Sequence, residues 1–309
     1  MEMRKIGSLE VSLIGLGCND FGRKLDQAAT TEVVRAALDW GINFFDTADM
    51  YGETLSEQYL GKALKGRRDK AVVATKFGWK LDEDRHGAHP SYVRRAVEAN
   101  LKRLDIDCID LYQLHQPDPS VPIADTLGAL NELVHAGKVR EIGCSNFSAA
   151  QIREAQNAVS QGAARFVSVQ NQYSMVHREP ELEVIPECVL LGVAFIPFFP
   201  LASGLLTGKH RRGQFAAGSR LTQANWANRF ATEQNLRLVD TLIQFAEGRG
   251  HTMLELALSW LATRPAVASI IAGAKTPEQV RLNAEAPVWK LTEPELSELA
   301  VILKPARPA

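Results

Sequence analysis

The sequence predicts an α/β chain folded as a (β/α)8 barrel. Three observations carry this. Short apolar runs rich in β-branched and aromatic residues recur eight times along the 309 residues, as suits strands buried on both faces. Amphipathic stretches with helical spacing lie between the runs. No polar linker interrupts the series, which favours one barrel over two doubly wound sheets, and barrels of about 250 residues or more fold as one unit. A single domain over residues 1–309 is expected.

In chain order, polar and apolar residues alternate from Met1 to about Leu13 around Gly7-Ser8, the pattern of a small hairpin. The apolar runs follow at Val11 to Cys18, Ile42 to Ala48, Ala71 to Phe77, Cys108 to His115, Val139 to Ser145, Phe166 to Gln172, Val193 to Phe199 and Ala268 to Gly273. Between them Val33, Val34, Ala37 and Leu38, and then Val93, Val97, Leu101 and Leu104, recur at helical spacing. Helix starts are written at Ser148-Ala-Ala-Gln151, Thr276-Pro-Glu-Gln279 and Thr292-Glu-Pro-Glu295, each of which fits a capping box. Two of the three place proline in the first turn, where no donor is lost. The rhythm breaks once, between the seventh and eighth runs. There a polar, Gly-rich loop is expected from Ser203 to about Asn235, followed by two helical stretches from Leu236 to Thr263. Loops of that length over a barrel top are usually functional.

Composition narrows the function. With 46% hydrophobic and 23% charged residues and only 22 Gly and 14 Pro, collagen-like and disordered chains are excluded. Thirty-five Lys and Arg balance 36 Asp and Glu to a net charge of −1, which argues against a nucleic-acid partner. Met1 to Glu10 carries charges where a signal peptide needs an apolar run, and the longest later apolar stretch, Val189 to Ala202, holds Pro197 and Pro200, so neither export nor membrane insertion is expected. Cys18, Cys108, Cys144 and Cys188 are scattered, as suits reduced thiols in a cytoplasmic protein. A small molecule is the expected partner.

In a barrel the chemistry sits at the carboxyl ends of the strands. Asp46 lies late in the second run, Tyr51 in the loop after it, Lys76 at the end of the third and His115 at the end of the fourth. A lysine at the end of a buried strand needs a carboxylate, and Asp46 on the neighbouring strand is the obvious one. Its cation is expected to favour the phenolate of Tyr51 and bring that group down from about 10 toward neutral, as a general acid requires. His115 is placed to polarise a carbonyl. Taken singly, each is more simply an ion pair, a rim aromatic or a core histidine; four complementary groups on successive strand ends favour catalysis.

Other strand ends are polar. Ser145, Asn146 and Gln170 offer partners for a carboxamide and Phe198 a face for a flat ring, with helix capping and core packing as the plainer alternatives. The loop from Leu201 to Lys209, and the helix opening at Thr276 after Gly273-Ala-Lys275, suit phosphate. The first misses the P-loop pattern at Ser203 and His210, and Gly15-Leu-Gly17-Cys-Asn-Asp20 misses the dinucleotide fingerprint at its third glycine. His86 and His89 stand in a polar loop, no HxH or HExxH pair occurs, and GxSxG is absent, so no metal is expected and hydrolase chemistry is disfavoured.

These residues resemble the aldo-keto reductases. The likeness rests on Phe45-Asp-Thr-Ala-Asp-Met-Tyr-Gly52, Ala74-Thr-Lys76, Asp110-Leu-Tyr-Gln-Leu-His115, Gly137-Lys-Val-Arg-Glu-Ile-Gly143 with Ser145-Asn146-Phe147, and Ile271-Ala-Gly-Ala-Lys-Thr276, in order over essentially the whole chain. It is greatest to the bacterial and channel-β-subunit-like branches. The resemblance implies a barrel closed at its base by the hairpin, with NAD(P)H extended across its top. It implies Tyr51 as proton donor, tuned by Lys76 and Asp46, with His115 positioning the carbonyl. Ser145, Asn146 and Gln170 would hold the carboxamide and Phe198 would cover the ring. Leu201, Ser203 and Lys209 would meet the pyrophosphate, and Gly273, Lys275, Gln279 and Asn283 the adenosine half. Many members carry arginine at the position of Gln279, so preference for NADPH over NADH would rest here on Lys275 and Arg220. Without a long segment after the last helix, expected near Thr292 to Leu303, a wide pocket is implied, with walls from loops near Asn19 to Lys24, Trp79 to Pro90 and Gln214 to Phe230. The expected activity is NADPH-dependent reduction of aldehydes, and secondarily ketones, to alcohols. The alternative is a nucleotide-sensing regulatory subunit that turns over slowly.

Overall fold

The structure, a computed structural model, describes residues 1–210, 214–215 and 218–304. The chain forms two units. The first comprises Met1–Asn171, Pro180–Phe198 and Ala266–Ala284, and the second Gln172–Glu179, Phe199–Pro265 and Glu285–Ala309.

The first unit opens with the antiparallel hairpin β1 (Met3–Ile6) and β2 (Leu9–Ser12), paired Ile6 to Leu9 across the turn at Gly7-Ser8. Eight parallel strands follow: β3 (Ile14–Gly17), β4 (Phe44–Asp46), β5 (Val72–Phe77), β6 (Ile109–Leu114), β7 (Val139–Ser145), β8 (Phe166–Gln172), β9 (Ala194–Phe198) and β10 (Ile270–Gly273). They pair in chain order, and β10 returns to pair with β3, Ile270 opposite Ile14. On the other side Phe195 bridges to Val267, its N–H donating to the carbonyl of Ala266 at 2.7 Å, which brings the ring to near closure. The expected run Val11 to Cys18 therefore holds two strands. Only Leu13 separates them, and both it and the neighbouring Ser12 are buried, so no exposed residue marks the break.

The hairpin contributes to the core. Ile6, Leu9 and Val11 form one buried cluster with Phe44, Val72, Ala74, Leu111, Ile196, Ala268 and Ile271. Side chains two apart on a strand share a face, so the positions that follow Phe44, Val72, Ala74 and Leu111 at period two continue the same inward column. Those positions are Asp46, Lys76 and Gln113. The sequence thus sets an apolar layer at the base of the barrel and turns polar at the strand ends.

Helices connect the strands and are capped locally. Asp26 accepts from the Ala29 N–H at 2.9 Å at the start of Gln27–Asp39, and Ser148 with Gln151 forms the expected reciprocal box. The helix Leu55–Leu64 lies close to Pro90–Leu104: a Cβ added at Gly61 would collide with the Leu104 carbonyl. Gly61→Ala is therefore expected to destabilise by about 1–3 kcal/mol, the cost of overpacking, which outweighs the roughly 0.5–1 kcal/mol that alanine gains over glycine inside a helix. A lower Tm in a thermal melt checks this; an unchanged Tm would contradict the close approach.

The second unit holds Ala224–Phe230, Glu233–Glu247, Met253–Ala262 and Glu293–Ile302. The first of these falls inside the expected loop. It turns on aromatic packing, with Trp226 stacked on Phe230 at 6.0 Å and the Arg229 guanidinium 5.1 Å from the Phe230 ring. Its sequence, Ala-Asn-Trp-Ala-Asn-Arg-Phe, shows no apolar stripe to announce it. Residues 216–217 of the pocket loop expected from Gln214 to Phe230 lie outside the described residues. No helix among the described residues is long and apolar enough to cross a membrane.

Candidate active site

Asp46, Lys76 and His115 stand at three successive strand ends, as expected, with Tyr51 in the loop that leaves β4. The Lys76 Nζ lies 2.8 Å from both Asp46 carboxylate oxygens and 2.9 Å from the Thr47 carbonyl. Both side chains are buried, at 0% and 3% exposure. Gln170 and Gln113 also donate to Asp46 Oδ1, at 2.8 and 3.3 Å. Burial is the largest single influence and would discharge Lys76, but the Asp46 carboxylate, joined by Tyr51 and Cys18, holds the ammonium above its ordinary range.

The ammonium sits 5.3 Å from the centre of the Tyr51 ring. The net shift of the phenol is opposite in sign to the expectation from sequence, although the ammonium itself acts in the expected direction. Burial raises the Tyr51 hydroxyl above 10, and although Lys76 pulls it down, Asp46 pushes it up again. A pair of opposite charges acts weakly on a third group, so desolvation decides. His115 meets the Tyr51 ring edge-on at 6.0 Å and the Trp79 ring at 5.3 Å. Burial, reinforced by Lys76, lowers its imidazole to about 3, so it is neutral at physiological pH, and its Nδ1 is buried with no partner among the described residues.

Beside these groups lie the expected amide partners. Ser145 pairs with Gln170 across β7 and β8, and its hydroxyl donates to the Gln170 carbonyl at 2.8 Å. Asn146 takes a left-handed conformation, φ 63°, which asparagine tolerates better than most residues. Its Nδ2 donates to the His115 carbonyl at 2.9 Å and to Ser145 at 3.2 Å. The amide nitrogens of Asn146 and Gln170 are thus both engaged within the protein. Phe198, at the end of β9, is half-buried.

At the end of β10, Gly273 is exposed and an added Cβ there would meet nothing within 4 Å. The expected capping box at Thr292 forms in full, whereas the one at Thr276 forms only in part: Thr276 Oγ1 accepts from the Gln279 N–H at 3.2 Å, but Gln279 Oε1 accepts from the Lys275 N–H at 2.8 Å. Gln279 therefore fixes the backbone of Lys275. Asn283, buried, donates to the Gly273 carbonyl at 3.3 Å.

Leu201, Ser203, Lys209 and Arg220 belong to the second unit. Ser203, φ 58°, and Gly204, φ 103°, lie in the tight segment Ala202–Thr207, where the Ser203 hydroxyl is buried without a partner among the described residues. Leu201 precedes this segment and accepts from the Gly204 N–H at 2.8 Å, while Lys209 after it is exposed. The Arg220 guanidinium lies 5.7 Å from the Trp226 ring.

Three groups escaped sequence reasoning. Gln113 had a readable signal, an amide that follows Ile109 and Leu111 at the inward period-two positions of its strand. Asp49 and Glu57 are buried by contacts between elements, which spacing along the chain does not reveal.

A model of the aldo/keto reductase family matches residues 13–304. The chain belongs to that family. It is 35% identical to aldo-keto reductase YhdN of Bacillus subtilis over 96% of this chain and 91% of the relative. It is 33% identical to a probable voltage-gated potassium channel subunit beta of Arabidopsis thaliana over 100% and 99% of the two chains. Among solved structures, the holo form of aldo-keto reductase AKR11C1 from Bacillus halodurans superposes with a TM-score of 0.83 at 31% identity, over 99% of this chain and 97% of that one. The glycerol dehydrogenase AKR11B4 from Gluconobacter oxydans gives 0.84 at 29% identity, over 97% and 94%. The aldo-keto reductase described here is accordingly an NAD(P)H-dependent oxidoreductase built on a (β/α)8 barrel.

Proposed function

We propose that this aldo-keto reductase is an NADPH-dependent carbonyl reductase that converts aldehydes, and secondarily ketones, to alcohols. The observation that carries the proposal is the buried Lys76–Asp46 pair beside Tyr51, with a neutral His115 whose Nδ1 is unpartnered among the described residues. A reduced nicotinamide, when bound, supplies hydride to the carbonyl carbon. Tyr51 supplies the proton to the carbonyl oxygen, and the Lys76 ammonium then stabilises the phenolate left behind. A phenol held above 10 stays protonated at neutral pH and is still far more acidic than the alcohol formed when the alkoxide takes its proton. His115, neutral, donates one ring N–H to the carbonyl oxygen without bringing a second cation beside Lys76. Ser145, Asn146 and Gln170 would hold the carboxamide, and Phe198 would cover the ring. Leu201, Ser203, Lys209 and Arg220 would serve the phosphates, and Gly273, Lys275, Gln279 and Asn283 the adenosine half.

Steady-state NADPH oxidation with simple aldehydes is expected to match the single-turnover rate within about tenfold, at a kcat in the ordinary enzymatic range of roughly 1–10³ s⁻¹. Tight NADPH binding with negligible turnover would instead indicate a regulatory subunit. For cofactor choice, Lys275 carries the argument: its backbone is fixed by Gln279, and it stands two residues before the helix Pro277–Glu285. Lys275→Ala is expected to weaken NADPH binding by about 1.5–3 kcal/mol and to leave NADH nearly unchanged, and Lys275→Glu to invert the preference. Fluorescence titration of both cofactors checks this; equal losses for the two would refute a 2′-phosphate contact at Lys275.

A further inference from the structure

Between Asp46 and Tyr51 lies a carboxyl group that the proposed reaction does not use. Asp49 is 1% exposed, and its Oδ1 is buried with no hydrogen-bond partner among the described residues. Its backbone N–H donates to the Lys76 carbonyl at 3.2 Å. The same stretch is tied down by the Thr47 N–H, 2.9 Å from the Ala74 carbonyl, and by the Thr47 hydroxyl, 2.8 Å from that of Ser56. Residues 47–51 therefore lie along the end of β5, and the Asp49 carboxyl is carried inward with them.

The groups that act on this carboxyl come from every neighbouring element. They are Glu57 from the helix Leu55–Leu64, Tyr92 and Arg103 from Pro90–Leu104, Lys76 from β5, Tyr112 from β6 and Arg85 from the loop before Pro90. Both inner cations are already committed. Lys76 is bound to Asp46, and Arg103 donates to Glu57 Oε2 at 2.6 Å. Glu57, itself fully buried, also accepts from Thr75 at 2.6 Å and Asn100 at 2.5 Å. An ionised Asp49 would thus add an uncompensated buried charge beside a second carboxylate. Burial first and Glu57 second push its carboxyl up to about 7, against the pull of Arg103, the Met50 N–H and Lys76.

We propose that Asp49 is a proton-linked positioning residue: as a neutral acid it keeps residues 47–51 seated on β5, and once ionised it draws that segment toward solvent and takes Tyr51 off the Lys76 ammonium. Its effect on turnover rests on the assignment of Tyr51 as proton donor, whereas the movement of the segment does not.

The test compares the parent with Asp49→Asn, which has nearly the same shape and no charge. In the parent, hydrogen-exchange protection of the 47–51 amides, corrected for intrinsic rates, is expected to fall about tenfold or more between roughly pH 6 and pH 8, with kcat/KM falling alongside. In Asp49→Asn both should stay within about twofold over that range. Stability gives a third readout. The folded value near 7 lies above the ordinary 3.8, so the parent loses stability as pH rises from about 4 to 7 and then levels off, and the Tm advantage of Asp49→Asn grows over the same window. A flat parent profile, or the same pH dependence in both proteins, overturns the proposal. Should the parent reduce no aldehyde, the functional reading fails, while exchange and melting still decide on Asp49. Should Asp49→Asn not fold, Glu57→Gln is the second variant: removing that neighbouring charge should move the exchange midpoint to lower pH, and an unmoved midpoint counts against Asp49.

Discussion

Tyr51→Phe is expected to lower kcat by about 10² or more while NADPH binding stays within about twofold, since general acid catalysis contributes roughly 10²–10⁴. The ring, its edge contact with His115 and its place over the Lys76 ammonium all survive the change; only the transferable proton is removed. The comparison belongs near pH 6, where Asp49 is protonated in both proteins, so that the loss reports the hydroxyl alone. A kcat within about threefold of the parent would remove Tyr51 from the role of proton donor.

Lys76→Met is expected to cost about 3–5 kcal/mol of folding stability as well as at least the same factor in kcat, because it strands Asp46 as a buried charge. Gln113 and Gln170 still donate to Asp46, which places the loss toward the lower end of that range. Two consequences can be separated. Adding Asp46→Asn removes the stranded charge and should return most of the stability, but not the turnover, because the cation beside Tyr51 stays absent. Denaturant unfolding and steady-state kinetics on the single and double variants check this. Recovery of turnover in the double variant would mean that Lys76 only neutralises Asp46.

Much of the fold was legible because buried parallel strands leave uninterrupted apolar runs. Val139–Ser145 and Phe166–Gln172 have the bounds their runs suggest, while the first run merged two strands because buried Leu13 gives no polar signal. The four candidate catalytic groups were legible for the same reason: each is a polar residue at or just beyond the end of such a run. What spacing could not convey was the balance of environments. A lysine near a tyrosine argues for a lowered phenol, but the depth at which Tyr51 sits reverses the sign. Gln279 fitted a capping box by sequence, yet its amide reaches the Lys275 N–H one residue upstream. Asp49 reads as one more polar loop residue until the helices bearing Glu57 and Arg103 are packed over it.

The pairing of β3 with β10 has a consequence for how the chain is made. At synthesis rates of about 5–20 residues per second, the stretch Ile14–Gly17 leaves the ribosome roughly 10–50 s before its neighbour Ile270–Gly273 exists. Throughout that interval one side of the nascent sheet presents unpaired N–H and C=O groups, a template for pairing with other chains. The hairpin waits as well, because two residues of its cluster, Ala268 and Ile271, come from the far end of the sequence. Folding of this chain thus depends on a contact between its two ends, and a polypeptide truncated before residue 270 should aggregate or be degraded rather than persist as a partial barrel.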